Sequence, residues 1–368
     1  MLALALLSLA LAGPGPTVSA APVQDSPIVV RIAPRPGTHR LVCAVDRRRP
    51  RTCARRTRLK LAPGRHTVAV WAIGRRGRKS AKRSVGVVVP QRAPRAVSVG
   101  GQPVGIAAVG SMLWVSDGSG GNVVQVDAAT RTVTARVPVG GQLGGIAANA
   151  SAIWVSGFDS GQLVRIDPSN HTVVARIQVG GQPTSIAFDA SGAVWVGSLD
   201  GSVWRVDPGT NHVTAVVALP SGASTLLTRG NLIWIGLQSG LLVSLAPASA
   251  ALTGQGVQVA PDVDAITDTP AGFWVSTFDG VAARIDPASR AVRRRVRLPG
   301  RGGGIAYANG TVWVSVFDRR LALGLDPQTG AFLGAVHTGG RPRESLVAAG
   351  SLWIVDQAAG ALTPLPLG

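Results

Sequence analysis

Apolar and polar positions alternate with a period of two along most of the chain after about residue 95. The alternation is interrupted at short intervals by glycine, asparagine, aspartate and serine, which favour turns. Short alternating segments bounded by such turns predict antiparallel strands of about five to six residues. The pattern therefore predicts an all-β protein.

The alternating pattern recurs every 39 to 41 residues around seven tryptophans. Each unit contains four short alternating segments, and four strands in about 40 residues is the size of one β-propeller blade. A single four-stranded sheet cannot bury both of its faces, so such units are expected to stack around an axis. The sequence predicts seven blades over residues 95–368. The tryptophans are Trp114, Trp154, Trp195, Trp234, Trp274, Trp313 and Trp353.

The two ends of the repeat region are complementary. After the strand that holds Trp353, the segment GALTPLPLG has room for a third strand but not for a fourth. Before the first unit, RAVSVGGQP matches fourth-strand segments of later units such as ARVPVGGQL. We therefore expect residues 95–99 to complete the last blade, which would remove an open sheet edge.

Residues 27–92, which we call the head, lack the 40-residue period. Alternation in LVCAV, RLKL and HTVAVWAI predicts three antiparallel strands. The chain before Val97 carries 20 Lys and Arg residues against two aspartates, whereas the rest is almost neutral. Solvated basic loops and attraction to an anionic wall polymer or lipid both remain open. Because Trp71 is the only aromatic residue of the head, specific nucleic-acid recognition is disfavoured.

The first twenty residues are typical of an export signal. Leu2–Ala12 is an apolar run too short to span a bilayer, and Val18-Ser19-Ala20 supplies small residues suited to signal peptidase. Residues 1–20 are predicted to be a signal peptide, and the protein is expected to be secreted or held in the cell envelope. In that setting Cys43 and Cys53 are predicted to form a disulfide.

The repeat GGxPxGIA…WVS…RIDP…VGG resembles the bacterial YVTN-type propeller repeat, and it is similar to repeats of the streptogramin (virginiamycin B) lyase family. This resemblance covers residues 95–368 and implies a β-propeller, a fold that hosts many activities. The segment around Cys43, Cys53, Gly64 and His66-Thr67 resembles small bacterial immunoglobulin-like modules, which implies a structural role for His66. The expected fold is an immunoglobulin-like β-sandwich followed by a seven-bladed β-propeller.

Aspartate occupies the fifth position after the tryptophan in four units, next to phenylalanine or leucine. In a propeller blade the loops from strand four to one and from strand two to three open on one face, so these aspartates share that face. We expect turn residues there, with an acidic rim for a cationic ligand or a metal site as alternatives. The four are Asp159, Asp200, Asp279 and Asp318.

The first strands of the units, which would line the channel, are uncharged except in two places. Ligand contact and structural ion pairing are both open for these charges, and nothing around Glu344 indicates a raised pKa. The glycine-rich segments GSGG and RGGGI are interpreted as propeller turns. The charged residues are Asp262, Asp264 and Asp268 in the fifth unit, Arg301 just before the sixth, and Arg341, Arg343 and Glu344 in the seventh.

The lyase resemblance implies magnesium and a histidine base near the channel mouth, which open a cyclic ester. None of the five histidines matches that place: two lie in the head, two in Asp-Pro turns and one in an outer strand. They are His39, His66, His171, His212 and His337. Motifs of serine hydrolases, zinc proteases and phosphate loops are also missing from the sequence.

We therefore expect a monomeric, noncatalytic binding or scaffold protein without a cofactor. Its propeller face would bind an unknown ligand or protein, and its head would attach to anionic envelope surfaces. A magnesium-dependent lyase and a nonspecific nucleic-acid binder are the alternatives.

Overall fold

The computed structural model describes residues 15–367, so Leu2–Ala12 of the predicted signal lies outside the described residues. The described chain consists of strands and one short 3-10 helix, η1 (Gln357–Ala359). In this part of the chain no helix has the length and apolar character needed to cross a bilayer. The chain forms two compact units, one up to Gln91 together with Phe332–Val336, the other comprising Arg92–Ala331 and the residues from His337 onward.

The first unit contains short antiparallel strands. They are β1 (Thr17–Ser19), β2 (Ile28–Ala33), β3 (Thr38–Val45), β4 (Arg51–Cys53), β5 (Arg56–Leu59), β6 (Gly64–Gly74) and β7 (Arg83–Val89), followed by β8 (Gln91–Arg92). Two sheets form, in the orders β1–β2–β5 and β4–β3–β6–β7. Alternate residues of both sheets, including Ile28, Leu59 and Val68, are fully buried in one core. The predicted segments LVCAV and HTVAVWAI lie in β3 and β6, which pair with each other.

The predicted disulfide is present and joins neighbouring strands. Cys43 on β3 and Cys53 on β4 are bonded, with their Cα atoms 5.9 Å apart. Both cysteines are buried in the core of the head. The crosslink therefore ties the arginine-rich turn between β3 and β4 to that core.

The head begins earlier than residue 27. Strand β1 pairs antiparallel with β2, with Val18 opposite Ile32. Val18 and Ala20 pack against the buried core, and Arg35 Nε donates to the Gly15 carbonyl at 3.3 Å. The last residues of the predicted signal therefore form an edge strand, because their apolar side chains complete the core.

The second unit begins with β9 (Val97–Ser98) and continues in regular groups of strands. The first three sheets contain β10 (Pro103–Val109), β11 (Met112–Asp117), β12 (Asn122–Asp127) and β13 (Thr132–Pro138); β14 (Leu143–Asn149), β15 (Ala152–Gly157), β16 (Gln162–Asp167) and β17 (Thr172–Gln178); and β18 (Pro183–Phe188), β19 (Val194–Ser198), β20 (Ser202–Asp207) and β21 (His212–Ala218). Each of these sheets is antiparallel in chain order.

The next sheets repeat this arrangement. They contain β22 (Ala223–Arg229), β23 (Leu232–Leu237), β24 (Leu241–Ala246) and β25 (Ala251–Gln258); β26 (Val263–Thr269), β27 (Gly272–Thr277), β28 (Val281–Asp286) and β29 (Ala291–Arg297); and β30 (Gly302–Ala308), β31 (Thr311–Val316) and β32 (Leu321–Leu325). In the chain β32 is followed by β33 (Phe332–His337), most of which belongs to the first unit. The last sheet contains β34 (Pro342–Ala348), β35 (Ser351–Asp356) and β36 (Ala361–Pro366). Its fourth strand is β9, with Ala361 opposite Ser98 and Leu362 opposite Val97.

Large apolar side chains fill the space between successive sheets. Six of the repeat tryptophans are buried, while Trp313 is half-buried. Trp114 of the first sheet packs against Leu143 and Ile153 of the second. Trp353 of the last sheet shares a core with Ile106 of the first. The first strands contact one another in order, and β34 contacts β10. The repeated four-stranded sheets therefore form a β-propeller.

Candidate functional site

The first strands of the sheets surround a central channel with a volume of about 1030 Å³. Much of its wall is glycine, serine, threonine and branched apolar residues, for example Gly105, Ile146 and Thr184. The charged residues in its lining are Asp262, Asp264, Arg343 and Glu344. A concave space with a few convergent polar groups is the usual form of a small-molecule site.

The rim of the channel is built by the turns that lead into each first strand. In these turns the carbonyl of the last residue accepts a hydrogen bond from the N–H of the residue that follows the second strand. The Gln142 carbonyl, for example, accepts the N–H of Phe158. Asp262, Arg301 and Arg341 occupy this position in the last three sheets. The repeat therefore places these three charged residues at equivalent points of one rim.

The first strand of the sixth sheet begins with three buried glycines. Gly302–Gly304 belong to β30, so their interpretation as a turn is wrong. A Cβ on Gly304 would lie 2.5 Å from the Arg343 carbonyl oxygen and 2.6 Å from the Glu344 Cα, so the close approach of β34 requires glycine. The glycines therefore let β30 and β34 pack closely beside Glu344.

The carboxyl groups of Asp264 and Glu344 are electrostatically coupled and hold their protons more tightly than usual. Burial raises the pKa of Asp264 to about 6, against the lowering effect of Arg343. Burial also raises the pKa of Glu344 to about 7; the Ser345 N–H and Arg343 oppose this shift, and the charge of Asp264 adds to it. The expectation that nothing raises the pKa of Glu344 is therefore wrong, because desolvation in the channel wall outweighs the neighbouring arginine.

These charges do not neutralise one another directly. Glu344 accepts the N–H of Ser345 at 3.1 Å. Across residues 15–367, no ion pair within 4.0 Å involves Asp264, Glu344 or Arg343. Pairing of Glu344 with Arg343, one alternative from the sequence, is therefore not what the structure contains. Asp268, by contrast, pairs with Arg229 at 2.8 Å and is absent from the channel lining.

Two rim arginines stack on phenylalanines of the preceding sheet. The guanidinium of Arg301 lies 5.0 Å from the ring centroid of Phe278, and that of Arg341 lies 5.6 Å from Phe317. The two rings are 5.8 Å apart. Such contacts hold a cation without neutralising it. This stacking was not predicted from the sequence. The available signal was an arginine at the rim position of the unit that follows each phenylalanine.

The four aspartates considered for an acidic rim are exposed and make local contacts. Asp159 accepts the Gln142 N–H at 3.1 Å, and Asp318 accepts the Arg301 N–H at 2.9 Å. Asp200 accepts the Ser202 N–H at 3.1 Å, and Asp279 pairs with Arg297 at 3.2 Å. These contacts are those of turn residues. Within the described range, no group of three or more His, Cys, Asp or Glu side chains is placed to hold a metal ion.

Comparisons with known proteins support the fold and do not indicate a function. No protein-family model and no curated protein matches the chain. Among solved structures, the chain is similar to one from the hydrazine synthase of Kuenenia stuttgartiensis, with a TM-score of 0.64 and 17% identity. The match covers 76% of this chain and 97% of that chain. At this level of identity the similarity concerns the β-propeller fold alone.

Proposed function

We propose that this protein is an extracytoplasmic binding protein that takes a small organic ligand into the channel of a seven-bladed propeller. In this proposal β9 and β34–β36 form the seventh blade. The disulfide of the head is compatible with an oxidising compartment. We also propose that the repeats are related to the YVTN and streptogramin lyase types and that the head is immunoglobulin-like.

The observation that carries the proposal is the uneven distribution of charge around the channel. Between Gln102 and Thr225, the channel lining contains only uncharged residues, whereas Asp262, Asp264, Arg343 and Glu344 come from the fifth and seventh sheets. Desolvated charges without partners destabilise a fold. Asp264 and Glu344 are the half-buried members of this set, and two such carboxylates in one sector of a cavity are expected where a ligand supplies the missing contacts.

A ligand screen with a channel-filling variant tests this proposal. Ser224 lines the channel on β22, outside the sheets that carry its charged residues, and is half-buried. Small organic compounds that raise the melting temperature of the wild-type protein should fail to stabilise Ser224→Trp. Val216→Trp, on the exposed face of β21, is the matched control and should respond like the wild type. Compounds that stabilise both tryptophan variants equally would exclude the channel as the site.

Acid–base catalysis is a second candidate for the same channel. The pKa of Glu344, raised to about 7 by burial, suits a group that exchanges protons near neutral pH. The lyase alternative predicts magnesium-dependent ring opening of a cyclic ester that is lost in Glu344→Gln. Absence of turnover in the wild-type protein with magnesium would leave the binding role.

For the head we propose weak attachment to anionic envelope surfaces. Arg47, Arg48 and Arg49 are all exposed in the turn after β3, and Arg75 and Arg76 are exposed after β6. Trp71 is buried, with Lys82 Nζ 5.0 Å from its ring, so it offers no surface for base stacking. Nucleic-acid recognition is therefore disfavoured.

Cosedimentation with phosphatidylglycerol vesicles tests the head. The full chain should bind at low salt and dissociate above physiological ionic strength. The Debye length is then about 8 Å or less, so the attraction between the arginines and the lipid headgroups is screened beyond close contact. Replacement of Arg47, Arg48 and Arg49 by glutamine should weaken binding. The same number of replacements on β29, at Arg293, Arg294 and Arg295, serves as the control. Equal losses for both triple variants would exclude a specific role for the head.

A further inference from the structure

The charged sector of the channel contains unsatisfied groups of both signs, and their arrangement indicates what kind of ligand fits. This inference rests on the proposed ligand-binding function of the channel. The sector is formed by the fifth, sixth and seventh sheets. It has a rim level, with Asp262, Arg301 and Arg341, and an inner level, with Asp264, Glu344 and the exposed Arg343.

At the inner level the missing partner is a cation. Asp264 and Glu344 both line the cavity and are half-buried, and among the described residues neither has an ion-pair partner. Arg343 acts on both electrostatically, yet burial still dominates their protonation. The two carboxyl groups are close enough for the charge of Asp264 to act on Glu344. A compact ammonium group, with three donors, suits two converging carboxylates.

At the rim the missing partner is an anion. Arg301 and Arg341 are exposed and stacked on Phe278 and Phe317, and no ion pair within the described residues occupies either guanidinium. A stacked guanidinium keeps its edge free for bidentate binding of a carboxylate. Arg341 precedes Glu344 by three residues on one extended segment, a separation of about 10 Å along the strand.

We propose that the channel binds an amphoteric organic ligand, of the ω-amino acid or short-peptide class, with its ammonium group between Asp264 and Glu344 and its carboxylate at Arg301 and Arg341. Aromatic stacking holds Arg301 and Arg341 at the rim, and neither arginine pairs with the inner carboxylates. A ligand that carries both charges satisfies both levels at once. A simple cation would meet the arginines on entry, and a simple anion would leave the inner carboxylates unpaired.

Four probes of equal chain length separate the two ends: 6-aminohexanoate, hexylamine, hexanoate and hexan-1-ol. Affinities for the full chain are measured by titration calorimetry or ligand-observed NMR near neutral pH. We expect 6-aminohexanoate to bind at least about tenfold more tightly than either singly charged probe, a factor that corresponds to about 1.4 kcal/mol. Hexan-1-ol should bind most weakly.

Variants assign each end to its residues. The double variant Asp264→Asn/Glu344→Gln should lose about tenfold or more in affinity for 6-aminohexanoate and hexylamine but not for hexanoate. The double variant Arg301→Gln/Arg341→Gln should show the opposite selectivity. Asp268→Asn, which removes the same charge from the same strand outside the cavity, is the matched control and should change none of the affinities.

The outcomes distinguish this inference from the function on which it rests. If hexan-1-ol binds as tightly as 6-aminohexanoate, or if no variant changes the order of the probes, the amphoteric ligand is wrong. If, in addition, other compounds bind the wild-type protein but not Ser224→Trp, the channel remains a binding site for another class of ligand. The inference is also overturned if 6-aminohexanoate shows no binding up to about 50 mM. A dissociation constant of this size corresponds to a binding free energy of roughly −1.8 kcal/mol.

Discussion

The aspartates of the Asp-Pro turns and the carboxyl groups of the channel wall are chemically alike, yet their proton affinities differ in opposite directions. Hydrogen bonds from Ser169 hold the pKa of Asp167 below its usual range, and the Gly209 N–H does the same for Asp207. In the channel, burial raises the pKa of Asp264 and Glu344. The turn carboxylates receive backbone donors and are solvated, whereas the channel carboxylates are desolvated and have few donors.

The difference separates carboxylates that stabilise the fold from carboxylates that the fold tolerates. A turn aspartate satisfies N–H groups that would otherwise be unpaired. A channel carboxylate satisfies little within the chain and is destabilising when ionised. Substitutions of turn carboxylates and of channel carboxylates should therefore have opposite effects on stability. The size of the loss at a turn carboxylate should follow the number of buried donors that lose their acceptor.

Asp356 should give the largest loss, because it combines burial with several donors. It is fully buried on β35, and it accepts the N–H groups of Gly339 and Gly340, the latter at 2.7 Å, and the hydroxyl of Thr363 at 3.3 Å. Asp356→Ala leaves these donors unpaired and should lower the free energy of unfolding by about 3 kcal/mol. Urea denaturation measures the change. Asp356→Asn keeps one acceptor oxygen and should lose clearly less; equal losses would show that the donors do not matter.

The channel pair should give a smaller effect of opposite sign. Because both folded-state pKa values are raised, the folded protein binds more protons than the unfolded chain between about pH 4 and 7, so stability falls as pH rises through this window. Asp264→Asn/Glu344→Gln should remove this decline. At about pH 8 the double variant should be more stable than the wild type by about 1 kcal/mol, since solvent screens these half-exposed groups. A double variant that is less stable at this pH would place the pair among the structural carboxylates.

The sequence predicted the repeat, the disulfide and the turn aspartates because each depends on local pattern. Strand alternation and the regular tryptophans report burial on every second residue, and Asp-Pro followed by small residues is a turn signal. It did not predict the proton affinity of Glu344, because that depends on how far neighbouring sheets desolvate the group. It also misassigned Gly302–Gly304 as a turn, since glycine is needed there for the approach of a strand 40 residues away in sequence.

The Asp46–His66 pair of the head is an intermediate case. Its contribution to the free energy of unfolding should be about 1 kcal/mol. His66 Nδ1 donates to Asp46 at 2.9 Å, and Nε2 donates to the Ala62 carbonyl at 2.8 Å. Burial lowers the pKa of His66, but these two acceptors outweigh it and raise the pKa above the usual value. The stabilisation is therefore complete below about pH 6.5 and is lost as pH rises through the raised folded-state pKa. NMR titration of the His66 ring and urea denaturation across this range check it, and Asp46→Asn should lower the His66 pKa.

The half-buried turn aspartate Asp286 should give the smallest effect and tests whether backbone donors matter without full burial. It accepts the Ala288 N–H at 3.0 Å and pairs with Arg293 at 2.8 Å, and these contacts with Arg293 and Ser289 hold its pKa below the usual range. Its stabilising contribution is thus present above about pH 4 and is lost as pH falls.

Asp286→Asn keeps an acceptor oxygen for the turn and should shift the melting temperature by about 1 °C or less near neutral pH, because solvent screens the ion pair. Asp286→Ala removes the acceptor as well and should shift it further, so differential scanning calorimetry of the two variants separates turn hydrogen bonding from ion pairing. If Asp286→Asn lowered the melting temperature as much as Asp356→Ala, burial would not be what distinguishes the carboxylates of this protein.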